Sequence, residues 1–197
     1  NKRAVLVSPT ASGKSLIIYC IIRMLRESDG RVLLIVPTTS LVEQMYKDFI
    51  SYGYDAEANV QRKYYGYEID TDKKIVVSTW QSLATFDKDY FKQFDCVIGD
   101  EAHLYKSKEL QKIMAACINA KYRIGTTGTL DDSKVHKLVL EGLFGPVHYV
   151  TTTRELIDKN QLANLKIECL VLKYPKEECM QIKNAKFQDE MDYIVTH

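Results

Sequence analysis

Short apolar runs alternate along this chain with longer stretches in which apolar residues recur every three or four positions, a pattern that predicts strands joined by helices. Ala4–Val7, Val32–Val36, Ile75–Ser78, Cys96–Ile98 and Arg123–Gly125 read as strands, with Val147–Val150 as a weaker sixth. Helical spacing covers Lys14 to about Glu27, Ser40 to about Ser51, Lys108 to about Asn119 and Lys134 to about Leu143. Strand runs interleaved with helices imply βαβ units, so the expected fold is α/β, a mostly parallel sheet with helices on both faces. Asp29-Gly30 and Gly53 stand where C-terminal glycines would end the first two helices. Ile167–Tyr174 alternates weakly, as a last strand would, and Glu177–Thr196 is helical in pattern and highly charged.

The 197 residues, 46% of them hydrophobic, suffice for one substantial core with a short appendage. The expected division is a domain over residues 1–153 and an extension over 154–197. The chain opens at Asn1 without a methionine, close to its first strand, which suggests a piece of a longer protein. A net charge of +1 provides no bulk basic field, so any nucleic acid has to be held by local contacts. The cysteines Cys20, Cys96, Cys117, Cys169 and Cys179 include no C-x-x-C pair and no zinc-type spacing. Cys20 and Cys96 lie in apolar runs and are expected to be buried, and the odd count suits a reducing cytoplasm. No apolar stretch approaches the roughly 18 to 20 residues of a membrane span, and the expectation is a soluble, cytoplasmic monomer without a membrane partner. His136 and His148 lack partners at metal spacing and read as packing or surface residues.

Candidate chemistry begins at Ser8-Pro9-Thr10-Ala11-Ser12-Gly13-Lys14-Ser15, between the first strand and the first helix. Gly13 lets backbone N–H groups approach phosphate oxygens, Lys14 supplies a point charge, and the Ser15 hydroxyl can ligand Mg²⁺. Ser8 stands where the common form of this pattern has glycine, so an ordinary capping loop is the competing reading of this stretch alone. Asp100-Glu101-Ala102-His103 then follows a buried-type strand. Adjacent carboxylates raise each other's pKa and need a compensating cation or a proton-transfer role. Asp100 is placed to hold the Mg²⁺ that Ser15 touches, and Glu101 to orient and deprotonate the water attacking a γ-phosphate. Ligands in parallel sheets bind outside the carboxyl ends of the strands, which sets both motifs at one crevice.

Three further strands end in polar residues: Pro37-Thr38-Thr39-Ser40-Leu41-Val42-Glu43-Gln44, Thr79-Trp80-Gln81, and Gly125-Thr126-Thr127-Gly128-Thr129. The first reads either as a phosphate site at a helix N-terminus or as a capping box of Ser40 with Glu43. Trp80, the only tryptophan, suits core packing beside its motif rather than the alternative, base stacking. Gln61–Tyr67 interleaves charge with aromatics, which suits base stacking or, more simply, a surface hairpin whose tyrosines cover a sheet edge.

These five motifs, in this order from Ala4 to Thr153, resemble the first motor domain of the superfamily 2 helicases and translocases, and within it the phage DNA helicases of recombination and fork repair. The resemblance implies a RecA-like P-loop NTPase domain using ATP and Mg²⁺, with catalytic positions at Lys14, Asp100, Glu101 and His103. It implies a nucleotide loop of Thr10, Ala11, Ser12, Gly13, Lys14 and Ser15, with the metal on Ser15 and Asp100. Backbone contacts to single-stranded or branched DNA fall to Pro37, Thr38, Thr39, Gln44, Thr79, Trp80 and Gln81. Thr127, Gly128 and Thr129 couple hydrolysis to strand movement, with His103 hydrogen-bonded toward them. The family's second motor domain, with its arginine finger, would be the partner in cis. Competing expectations are a duplex translocase without strand separation and a nucleotide-gated nucleic-acid clamp.

Overall fold

The computed structural model describes residues 2–26, 30–64, 72–130, 134–164, 168, 169, 171 and 173–196. In chain order these form β1 (Arg3–Val7), α1 (Lys14–Arg26), β2 (Val32–Val36), α2 (Thr39–Ser51), α3 (Ala56–Asn59), β3 (Val60–Lys63), β4 (Ile75–Thr79) and α4 (Trp80–Leu83). A 3-10 segment at Lys88–Gln93 leads to β5 (Cys96–Gly99), and a second at Ala102–Lys106 leads to α5 (Lys108–Ala116). There follow β6 (Tyr122–Thr127), α6 (Lys134–Phe144), β7 (Val147–Tyr149), α7 (Thr153–Asp158), α8 (Lys176–Ile182) and α9 (Phe187–Thr196).

The strands make one seven-stranded sheet in the order β3-β4-β2-β5-β6-β1-β7, parallel at each pairing. β2 is VLLIV and is buried at every position, because apolar residues on both sides of a central strand face helices. Its alternation splits the core. Leu33 and Ile35 join one apolar cluster with α5, α6 and the two 3-10 segments. Val32, Leu34 and Val36 join the other, with α1 and α2. Helices therefore cover both faces, and the carboxyl ends of all the strands lie along one edge.

Several local expectations are corrected. The cap of α2 is Thr38, whose side chain accepts from Leu41 N; Ser40 lies inside the helix, and Glu43 turns to Arg62 and Tyr64 instead of closing a capping box. A true capping box occurs at Thr152 and Glu155. Gly53 adopts the left-handed φ of +77° at the end of α2, whereas Gly30 does not, and residues 27–29 lie outside the described set. Cys20 is exposed, because a residue two positions from the buried Ile18 and Ile22 faces the opposite side of α1. The hairpin expected at Gln61–Tyr67 is a parallel edge strand as far as Lys63, paired with β4; Tyr65 to Tyr67 lie outside the described residues.

Residues 1–163 form one compact unit and residues 164–197 another, so the first unit runs past Thr153 and includes α7 with its buried Leu156. In the second unit, described residues of Ile167–Tyr174 are not strand, and the charged helical stretch is two helices, α8 and α9, within which Tyr193 donates to Glu178 at 3.2 Å.

Candidate nucleotide and nucleic-acid site

β5, β6 and β1 are neighbours in the sheet, and the loops that leave their carboxyl ends carry the candidate chemistry. After β1, Ser8 N donates to Thr127 O at 2.9 Å, which ties the start of the loop to the end of β6. Ser8 Oγ then donates to Ser12 Oγ at 2.6 Å, and Ser12 Oγ to Pro9 O at 2.6 Å. A serine at the loop's start thus braces it from inside. Ala11 and Gly13 take left-handed φ values of +62° and +81°, conformations that curl backbone N–H groups into a concave anion cradle. Lys14 Nζ, the first residue of α1, donates to Ser8 O at 3.3 Å, and among the described residues no carboxylate pairs with it.

From β6, Gly128 lies against this loop: a Cβ there would come within 3.4 Å of Lys14 Nζ and 3.7 Å of Ser8 O. From β5, Asp100 is buried at 6% exposure, its N–H donates to Ile35 O, and its Oδ1 accepts from the Thr126 hydroxyl at 2.8 Å. Glu101 has a left-handed φ of +49° and is half-buried, with Oε2 3.3 Å from His103 Nδ1. His103 Nδ1 also lies 3.0 Å from Thr127 Oγ1. Thr127 has one hydroxyl proton and directs it to Thr129 O at 2.8 Å, so His103 is the donor in its contact with Thr127. The phosphate loop, the acidic turn and the threonine segment are therefore joined by direct hydrogen bonds.

Glycines set the height of the acidic turn. Gly99 and Gly125 are register partners; a Cβ at the first would fall 2.5 Å from the Tyr105 hydroxyl and at the second 3.0 Å from the Ala102 Cβ. Ala102 and Tyr105 are fully buried against that bare backbone, and the Tyr105 ring meets Phe144 edge-on at 4.9 Å. The Tyr105 hydroxyl is buried and has no hydrogen-bond partner among the described residues, and burial, followed by the charge of Asp100, pushes its pKa well above the usual tyrosine value.

Along the same edge, Thr38, Thr39 and Gln44 are exposed around the start of α2, and Pro37 is half-buried. Gln81 is exposed, while Trp80 packs partly against the core. Thr79 is buried, its hydroxyl accepting from Ser82 N to cap α4 and lying 3.1 Å from Ser82 Oγ, so its side chain faces inward rather than to solvent. Two contacts were not singled out by sequence reasoning: Thr126 on Asp100, hidden in a pair of adjacent threonines, and Tyr52, whose hydroxyl lies 2.8 Å from Ser15 Oγ across 37 residues of sequence.

The donor set suits a magnesium ion shared with phosphate. It offers oxygen only, a hydroxyl at Ser15 and a carboxylate at Asp100; among the described residues no cationic side chain pairs with Asp100, and no group of three or more His, Cys, Asp or Glu makes a closed cage.

The sequence matches the family described as "Type III restriction enzyme, res subunit" over residues 1–132. It is 34% identical over 199 residues to the "ATP-dependent DNA helicase uvsW" of Enterobacteria phage T4, a match covering 98% of this chain and 40% of that protein. Two solved structures of that phage helicase superpose with TM-scores of 0.70 and 0.69, both at 33% identity; the first match covers all of this chain and 39% of the other, the second 76% and 55%. The helicase domain of Pyrococcus furiosus Hef, at 19% identity, shares the fold, with a TM-score of 0.64 over 88% of this chain and 40% of that one. The chain thus spans about 40% of the length of the curated relative it matches. With these matches and with the loops after β1, β5 and β6 joined at one edge of the sheet, the chain belongs to the res-subunit family and is a first motor domain of the superfamily 2 helicases.

Proposed function

We propose that this domain binds ATP with Mg²⁺ in the crevice after β1, β6 and β5 and, joined to a second motor domain, hydrolyses it to drive the unwinding or branch migration of DNA. The observation that carries the reading is the placement of Lys14 and Asp100, which among the described residues have no ion-pair partner, on neighbouring loops linked through Ser8, Thr127 and Thr126. Bound there, the metal supplies charge neutralisation at the phosphate oxygens. Lys14 and the loop N–H groups hold the phosphates, and Ser15 and Asp100 hold the metal. Glu101 takes a proton from the attacking water, its Oε2 lying 3.3 Å from His103 Nδ1. His103 donates to Thr127, so a displacement of the Thr127–Thr129 segment reaches the base. The exposed Thr38, Thr39, Gln44 and Gln81 supply sequence-independent contacts to a DNA backbone, as does the N-terminus of α2.

The test is equilibrium binding of a fluorescent ATP analogue to the chain and to Lys14→Ala. Loss of binding with an unchanged urea midpoint supports the site; unchanged affinity overturns it. The charge of an arginine finger from a second domain contributes roughly 10³ to 10⁵ in rate, so this chain is expected to turn ATP over hardly at all. Strand-separation assays of the two-domain protein on forked and blunt DNA then distinguish unwinding from movement along an intact duplex.

A further inference from the structure

We propose that Tyr52 is a positioning residue for the Ser15 hydroxyl and thereby sets how strongly Mg²⁺ tightens nucleotide binding, an inference that rests on the assignment of Ser15 to the metal. A serine hydroxyl has one proton and two lone pairs. To ligand a cation, Ser15 has to turn a lone pair toward the crevice and its proton away, and an acceptor fixed behind it selects that rotamer of the proton. The Tyr52 hydroxyl is placed to be such an acceptor: it lies 2.8 Å from Ser15 Oγ, a bond in which either oxygen can donate, and it makes the one side-chain hydrogen bond of Ser15 among the described residues.

The phenol is held at that spot from several directions. Tyr52 follows the last residue of α2, its N–H bonded to Asp48 O at 2.9 Å, and Gly53 reverses the chain with its left-handed φ. Its ring packs at 5.2 Å on Tyr19, which lies one turn along α1 from Ser15. Tyr19 is itself fixed by the fully buried Phe49 at 5.6 Å, by Tyr54 at 5.9 Å, and by its own hydroxyl donating to Tyr52 O at 3.4 Å. Arg23 lies over the rings of both Tyr19 and Tyr54 and donates to the Tyr19 hydroxyl. The cluster therefore fixes the acceptor relative to α1, the same helix that carries Ser15. A phenylalanine in its place would keep the ring contacts and lose only the hydroxyl.

The experiment measures the affinity of a fluorescent ATP analogue with magnesium present and with the metal chelated, for the chain, Tyr52→Phe, Ser15→Ala and the double variant. The expected result is that Tyr52→Phe binds the metal-free nucleotide as the parent does but loses about tenfold of the tightening that magnesium brings, the scale seen when groups behind metal ligands are removed. Ser15→Ala should lose at least as much, and the double variant no more than Ser15→Ala. If Tyr52→Phe keeps the parent's magnesium response while Ser15→Ala loses it, the role given to Tyr52 is overturned and the metal assignment stands. If Ser15→Ala keeps the response, the metal assignment itself fails and the proposal falls with it. A change in the urea midpoint of Tyr52→Phe with an unchanged magnesium response would mark the bond as merely structural and likewise overturn the proposal.

Discussion

The Thr126 hydroxyl donates to Asp100 Oδ1 across 2.8 Å between two adjacent strand ends, with both residues almost wholly buried. Thr126→Val keeps the shape and removes the donor, leaving a buried carboxylate short of a partner. We expect a loss of about 1–3 kcal/mol in urea unfolding, together with weaker magnesium-dependent nucleotide binding. Unchanged stability in that variant would show that Asp100 is satisfied by other means.

Tyr105 presents the opposite case. Its hydroxyl is wholly buried beside Asp100 and has no partner among the described residues, so Tyr105→Phe removes a desolvated polar group and leaves the contact with Phe144 intact. The expected change is neutral to about 1 kcal/mol stabilising in the urea midpoint. A clear destabilisation would mean that the hydroxyl has a partner.

The phosphate loop separates conformational from steric cost. A Cβ at Gly13 meets nothing within 4 Å, yet its φ is +81°, so Gly13→Ala should cost about 1–2 kcal/mol through backbone strain alone. Ala11 already bears a φ of +62°; Ala11→Gly relieves that strain but frees the unfolded chain, and the two effects should cancel to within about 0.5 kcal/mol. Thermal unfolding of the pair checks both, and an equal loss in the two variants would contradict the φ assignment.

Glu43 gives a pH signature. Burial, the largest single influence, raises its pKa, but hydrogen bonds from Tyr64 and Arg62, with the charges of Arg62 and Lys47, together outweigh it and hold the carboxyl below its ordinary value of 4.5. A lowered folded-state pKa contributes stability that is present above about pH 4.5 and is lost as pH falls through the folded value. The stability difference between the parent and Glu43→Gln, followed by urea unfolding from pH 7 to pH 3, should shrink on acidification; a difference that grows would reverse the sign of the shift.

Thiol chemistry should divide the cysteines. Burial pushes the thiols of Cys96 and Cys117 up to about 12, whereas Cys20, Cys169 and Cys179 are exposed. A disulfide reagent at pH 8 should label the exposed three quickly and the buried two only on unfolding. Fast labelling of Cys96 in the folded protein would contradict its place in β5.

β2 was legible because it is a continuous apolar run, and it was read with its observed bounds. β3 was not, since Val60-Gln61-Arg62-Lys63 is short and polar and pairs on one side only, so its strand character comes from β4 rather than from its own sequence. Within the candidate site, motifs contiguous in sequence were visible as residue types at fixed spacing. The contacts that join them were not, because Thr126 to Asp100 and Tyr52 to Ser15 depend on sheet order and on the path of α2, which no local pattern encodes. Thr38 displaced Ser40 as the cap because the strand β2 ends at Val36 and the helix begins at Thr39, earlier than its apolar period indicates.

The pair of bare backbone positions at Gly99 and Gly125 leaves no soft layer beneath the turn that carries Glu101 and His103. Where a sheet is padded by side chains, small shifts of the overlying segment are absorbed by rotamer changes. Here Ala102 and Tyr105 rest directly on peptide planes, which leaves the segment Ala102–Lys106, with the candidate residue His103 in it and Glu101 just before it, little room to settle toward the sheet.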